Sequence, residues 1–137
     1  LTETLDEYRA ASRVSVDAFR MSEDDRRALE AQEELLWGLE TSWPHYRTFV
    51  AILDGQIVGA AASIYGANAV SLAGGSTRED ARGRGAYRAL VRARWDAAVE
   101  RGTPALTVGA ESMSRPILER LGFVKVGWTD CLIDRFV

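Results

Sequence analysis

The chain has a single cysteine, Cys131, in 137 residues, so it cannot close an internal disulfide; this suits a reducing, cytoplasmic setting. It also lacks a basic excess. Its 17 Lys and Arg stand against 20 Asp and Glu, a net charge of −3 with pI near 5.2, which leaves no electrostatic footprint for nucleic acid. No Cys, His, Asp and Glu cluster has ligand spacing, so nothing supports a bound metal. No repeat, low-complexity tract or signal peptide is visible. Residues 55–77 carry no charge, which raises the question of a membrane span. Gly, Ala, Ser and Asn fill that run, however, where a spanning helix is rich in Leu, Ile and Phe. Two strands around Gly66-Ala67-Asn68 explain it better, and no membrane contact is expected. What is present is ordinary for one globular domain, 1–137, with a real core: 47% hydrophobic and 27% charged residues.

Periodicity places the elements. Leu5, Tyr8, Ser12, Ser15 and Phe19 fall at helical spacing and predict a first helix over 4–20. Ser22 before Glu23-Asp24-Asp25 is an N-cap followed by acids, opening a second helix over 23–37. Strands are expected over 47–53 and 56–65, joined by the hairpin signal Asp54-Gly55, and over 68–75. A long helix over 85–101 presents Ala89, Leu90, Ala93 and Ala97 on one face. A strand over 105–108, a helix over 113–121 and strands over 123–126 and 131–136 complete the order ααβββαβαββ.

The most informative stretch lies between the third strand and the long helix: Ser76-Thr77-Arg78-Glu79-Asp80-Ala81-Arg82-Gly83-Arg84-Gly85-Ala86-Tyr87-Arg88. A glycine-rich turn entering a helix converges backbone N–H groups on one point, and the helix N-terminus adds roughly half a positive charge there. Phosphate oxygens fit such a place. The Walker loop is excluded, because no Lys-Ser or Lys-Thr pair follows the second glycine. The dinucleotide fingerprint lacks its third glycine.

The segment resembles the acyl-coenzyme A loop of the GNAT superfamily of N-acyltransferases, Q/R-x-x-G-x-G/A, with Arg82 and Gly85 at the first two fixed positions and Tyr87 where the family has Gly or Ala. A second stretch, Ser114 to Phe123, resembles the family's late helix ending in L-G-F. The resemblance spans roughly 46–137. It implies an α/β fold: a mixed, mostly antiparallel, twisted sheet of six or so strands with helices on both faces, opened in a V between 69–76 and 105–108. It further implies acetyl-CoA as acyl donor, a small-molecule or peptide amine as acceptor, and direct attack in a ternary complex. Contacts to the donor would fall on Arg82, Gly83, Arg84, Gly85, Ala86, Tyr87 and Arg88 at the pyrophosphate. Gly75, Ser76 and Thr77 would line the pantetheine arm, with one N–H facing the thioester carbonyl. The family's strand ahead of the first helix is missing or shortened here, which implies an excised fragment or the later domain of a longer polypeptide; a homodimer is equally compatible.

The proton-transfer groups are not identified by the resemblance. The position of the family's acidic Tyr is Leu118, its helix-head Asn aligns with Glu111, and the third strand lacks the Glu that some relatives use as base. Glu111, His45 and Tyr65 are the remaining candidates. Each has an ordinary structural reading beside it: a solvated loop carboxylate, a loop histidine between aromatics, and a core aromatic. Cys131 reads as a small core residue. Arg92 reads as a solvated partner of Asp96 or Glu100. Glu30, Glu33, Glu34 and Glu40 could attract a cationic amine or simply be solvated. A domain of the same fold with a structural or acyl-CoA-sensing role is the alternative to an enzyme.

Overall fold

The computed structural model describes residues 1–130. Its elements run α1 (Leu5–Ala18), α2 (Glu23–Glu30), α3 (Glu33–Ser42), β1 (Tyr46–Leu53), β2 (Gln56–Tyr65), β3 (Val70–Thr77), α4 (Ala86–Glu100), β4 (Leu106–Val108) and α5 (Arg115–Arg120), with a 3-10 turn at Glu79–Ala81. Thr4 caps α1 by accepting the Glu7 N–H at 3.2 Å, and Ser22 caps α2 by accepting the Asp25 N–H at 3.2 Å. Acids follow both caps, where the free N–H groups of the first turn favour negative charge.

The helix expected over 23–37 is two helices. Ala31 and Gln32 close α2 on the carbonyls of Arg27 and Leu29, and the chain redirects before α3. α2 buries no residue, whereas α3 buries Glu33 and Glu40 and continues through Gly38 to Ser42. Burial of those two side chains, which one straight helix would not deliver together with a solvated α2, accounts for the break. α1 buries Ala11, Val14 and Val16; Phe19 lies past its last turn and is exposed.

β1, β2 and β3 form an antiparallel meander, and β3–α4–β4 is a parallel crossover, giving a mixed four-stranded sheet in the order β1-β2-β3-β4. The Asp54-Gly55 turn has φ of 51° and 77°, both left-handed, as a two-residue hairpin of this type demands. Phe49, Ala51 and Ala61 pack on Leu90 of α4, while Ala60 packs on Ala11 and Val14 of α1. Successive residues of β2 thus serve opposite layers, and helices cover both faces. No helix among the described residues is long and apolar enough to cross a membrane.

Two further expectations differ from the structure. The inward line of α4 is Leu90, Arg94 and Ala98 with Val91, and Ala89 and Ala93 are exposed. An arginine in the middle of the buried stripe disguised it as a polar face. Residues 123–126 form no strand, and Val124 and Val126 are exposed. Alternation supplies the side-chain pattern of a strand, but a strand exists only against a partner edge, and none pairs with these residues among those described. The strand expected over 131–136, and Cys131 with it, lies outside the described residues. No strand precedes α1 among the described residues; Thr2 donates its N–H to the Thr48 carbonyl of β1 at 3.0 Å.

Leu118 of α5 is 2% exposed and joins Val70, Leu72, Val91 and Ala98 in the largest core cluster. Burial of such a side chain stabilises by roughly 1.5–3 kcal/mol. Replacing it with tyrosine would force a phenol into packed space. Leu118→Tyr is expected to lower stability by about 1–3 kcal/mol in urea denaturation, the cost of overpacking.

Candidate functional site

The turn before α4 is pinned and then left open. Arg78 donates its N–H to the Val58 carbonyl at 2.8 Å, Ala81 is buried at 3% exposure, and the Arg82 N–H closes on Glu79 at 3.3 Å. Beyond that point the N–H groups of Gly83, Arg84, Gly85, Ala86, Tyr87 and Arg88 find no acceptor among the described residues. Gly85, at φ 89° and ψ −2°, is the left-handed residue that swings the chain into the helix, a conformation costly for any residue with a Cβ. No side chain caps α4, so its first-turn donors and dipole face solvent together. An anion fits there.

The charges around the loop are not all free. Arg78 is held by Asp80, whose carboxyl it keeps below the usual range, and Arg84 Nη2 reaches Asp54 at 3.2 Å. Arg92 pairs with Asp96 at 2.9 Å, one helical turn along. Arg82 and Arg88 are exposed and have no acidic partner among the described residues.

The sheet opens beside this loop. β3 pairs with β4 only through Val70↔Leu106, Ser71↔Thr107 and Leu72↔Val108. Among the described residues β3 then continues alone on that side to Thr77. Its pairing with β2 slips between Ala60↔Ser76 and Ala62↔Ala73, which puts a bulge at Gly74-Gly75. After the bulge Arg78 donates to Val58 on β2, so by strand alternation Gly75 and Thr77 turn their N–H and C=O groups toward the open side. Thr77 Oγ1 is buried there without a partner among the described residues. Such a group costs about 1–3 kcal/mol while unsatisfied.

On the α1 face a cleft of about 160 Å³ reaches the same bulge, lined by Tyr8, Ser12, Ser15, Leu29, Tyr46, Thr48 and Gly74. Behind it lies Glu40, 5% exposed, whose carboxylate accepts the Thr48 N–H at 2.6 Å and the Thr48 hydroxyl at 2.7 Å. Burial, and then the Glu40 charge, pushes the Tyr8 hydroxyl up to about 12; the same two causes raise Tyr46. Both phenols line the cleft as neutral hydroxyls.

A sequence model of the acetyltransferase (GNAT) domain matches residues 13–131. The chain belongs to the GNAT acetyltransferase family. No curated protein sequence matches it significantly. Among solved structures it is similar to the aminoglycoside N-acetyltransferase AAC(6')-Iy in complex with the bisubstrate analogue CoA-S-monomethyl-acetylneamine, at 19% identity and TM-score 0.74, covering 96% of this chain and 93% of that one. It is similar to a transcriptional regulator from Bacillus halodurans, at 19% identity and TM-score 0.76, over 99% and 96% of the two chains. A predicted acetyltransferase from Clostridium acetobutylicum with acetyl-CoA matches at 14% identity and TM-score 0.72, over 94% and 92%. At such identities the likeness is one of fold.

Within this GNAT fold the sequence candidates for proton transfer separate. His45 and Tyr65 sit at the closed end of the sheet: Tyr65 pairs with Val70, its N–H donates to the His45 carbonyl at 2.8 Å, and His45 Nδ1 lies 3.0 Å from the Tyr65 carbonyl oxygen. Tyr65 is 6% exposed, with Arg101 over its ring at 3.9 Å. Both residues hold structure, and neither reaches the open edge. Glu111 follows β4 at the open end, exposed, its backbone carbonyl accepting the Arg115 N–H at the start of α5. Of the acids read as solvated, Glu33 and Glu40 are buried. Their burial had no local signal, because it depends on Arg9 and Thr48 of other elements.

Tyr87, the departure from the GNAT loop pattern, has a structural answer. A Cβ built on Gly75 would lie 2.9 Å from Tyr87 Cε2, so the ring packs on the bulge and fills the space a side chain at 75 would take. Gly75→Ala is expected to destabilise by about 1–3 kcal/mol as overpacking. The Gly75→Ala/Tyr87→Ala pair should be less destabilised than the sum of the two changes, measured as a double-mutant cycle in urea. The raised Tyr8 hydroxyl makes stability depend on pH. An unfolded tyrosine ionises near 10 and the folded one near 12, so its contribution is full below pH 10 and lost as pH climbs to 12. Glu40→Gln should lower the Tyr8 midpoint in absorbance titration near 295 nm.

Proposed function

We propose that the protein transfers an acetyl group from acetyl-CoA to a primary amine by direct attack, both substrates bound together. The observation that carries this reading is the junction at the bulge. Donors without acceptors at 83–88, the unpaired edge of β3 at Gly75 and Thr77, and the α1-face cleft all meet there. The six loop N–H groups, with Arg82 and Arg88, would take the pyrophosphate. The free edge at Gly75 and Thr77 would take the pantetheine arm, which carries amide groups able to replace a strand partner; Ser76 between them, expected on that edge, turns its backbone to Ala60 of β2 instead.

The chemistry then needs little from side chains. The amine nitrogen forms a bond to the thioester carbon, the carbonyl oxygen gains negative charge, and a backbone N–H of the open edge is placed to stabilise it. Collapse breaks the C–S bond, sulfur leaves with the electron pair, and nitrogen gives up one proton. Glu111, at the open end and in contact with solvent, is the residue from which a water chain would take that proton. Positioning and oxyanion stabilisation supply most of the acceleration, since direct attack uses no protein nucleophile. A cytoplasmic location belongs to the same reading and rests on the lone cysteine.

A second reading, a domain that binds acyl-CoA as a sensor or serves only structurally, is favoured by one observation: the position of the family's acidic tyrosine is Leu118, packed into the core. Isothermal titration with acetyl-CoA separates the readings, with dephospho-CoA as a control. The enzyme reading expects micromolar binding, weakened by loss of the 3′-phosphate, together with CoA release when amines are added. Gly85→Val, which strains a left-handed position and crowds the amides, is expected to weaken binding at least tenfold. Wild-type affinity in Gly85→Val would remove the loop from the site.

A further inference from the structure

One contact at the bulge carries a direction. Ser15 Oγ of α1 lies 3.2 Å from Ser76 Oγ of β3, and the Ser76 hydroxyl donates to the Ala60 carbonyl oxygen at 3.2 Å. Ser76 is 4% exposed, so its hydroxyl has no water to turn to. A serine hydroxyl carries one proton and two lone pairs. With the Ser76 proton spent on Ala60, the bond between the serines is donated by Ser15. Ser15 then keeps its lone pairs, and no donor among the described residues uses them. Its side chain lines the cleft that Gly74 closes at the bulge.

An attacking amine aims its own lone pair at the thioester carbon, so its N–H bonds point away from the donor and need acceptors. Tyr8 lines the same cleft, and its phenol O–H can donate where Ser15 accepts. We infer that Ser15 is a positioning residue for the acceptor: its Oγ accepts one N–H of the incoming primary amine and turns the nitrogen toward Gly74-Gly75. The inference rests on the acetyl-transfer reading. The hydroxyl chain from Ser15 through Ser76 ends on a backbone carbonyl, which takes no proton, so Ser15 orients the nucleophile and is not its base.

The test measures CoA release from acetyl-CoA by the purified chain, with neamine, spermidine and glycinamide as probe amines, beside calorimetric acetyl-CoA affinity and a thermal melt of each variant. Ser15→Ala is expected to keep the acetyl-CoA Kd and lower kcat/KM for the best amine about fivefold to tenfold, the size of one hydrogen bond. Ser15→Thr, which keeps the hydroxyl, should recover most of that loss. Ser76→Ala removes the acceptor of the Ser15 proton, and should lower kcat/KM in the same direction with Ser15 intact. Wild-type kcat/KM in Ser15→Ala, or equal impairment of Ser15→Thr and Ser15→Ala, overturns the positioning role and leaves acetyl transfer standing. Acetyl-CoA binding without CoA release for any probe overturns the role and leaves only the binding. A folded wild-type chain that does not bind acetyl-CoA overturns both readings.

Discussion

A parallel strand pair that closes at one end and parts at the other governs this molecule. β3 and β4 share hydrogen bonds over 70–72 and 106–108, and past that point β3 runs on with one side of its backbone unpaired. An unpaired strand edge open to solvent is a place where an extended polar ligand can take the role of a strand partner. The bulge at Gly74-Gly75 acts on the same residues. By adding one residue to β3 it turns the N–H groups of Gly75 and Thr77 toward the gap. α4 must start where β3 ends, because a parallel crossover returns along the sheet, and this brings its uncapped N-terminus to the same end.

The layers on either side hold this opening in place with polar groups in unusual positions. Arg94 is 1% exposed in the centre of α4, donating from Nε to Leu90 at 3.0 Å and from Nη1 to Ala62 at 3.1 Å. Desolvation pulls its guanidinium down to about 10, still charged at neutral pH. The Ala62 carbonyl ties α4 to β2 beside the bulge register, while the Leu90 carbonyl lies one turn back in α4 itself. On the opposite face Glu40 ties α3 to β1 through Thr48, and its charge adds to burial in raising two phenols of the cleft. Both groups couple a helix to the sheet at a cost in desolvation.

Under the proposed reading the site is rich in binding groups and sparse in proton-transfer groups. Loop, edge and cleft lie at one end, while Leu118 is packed in the core and Tyr65 with His45 lies at the other end of β2. A reaction whose nucleophile arrives with the substrate tolerates that economy, because alignment and oxyanion stabilisation carry most of the barrier reduction. Tyr87 shows how the pattern bends without breaking: the bulky ring is accommodated by Gly75 on the preceding strand, not by the loop itself.

Much of this was legible in the residues. The left-handed turn at Asp54-Gly55, the cap at Ser22, the strand β2 over Gln56–Tyr65 and the glycine turn into α4 are set by conformational preferences acting across a few neighbours. Those preferences belong to the chain itself. Tertiary structure alone decided the break between α2 and α3, the inward turn of Arg94, the burial of Glu33 and Glu40, and the missing strand at 123–126. It alone joined Ser15 of the first helix to Ser76 of the third strand, far apart along the chain. Burial, pairing and the direction of a hydroxyl depend on which distant groups arrive beside a residue, and no local pattern encodes that arrival.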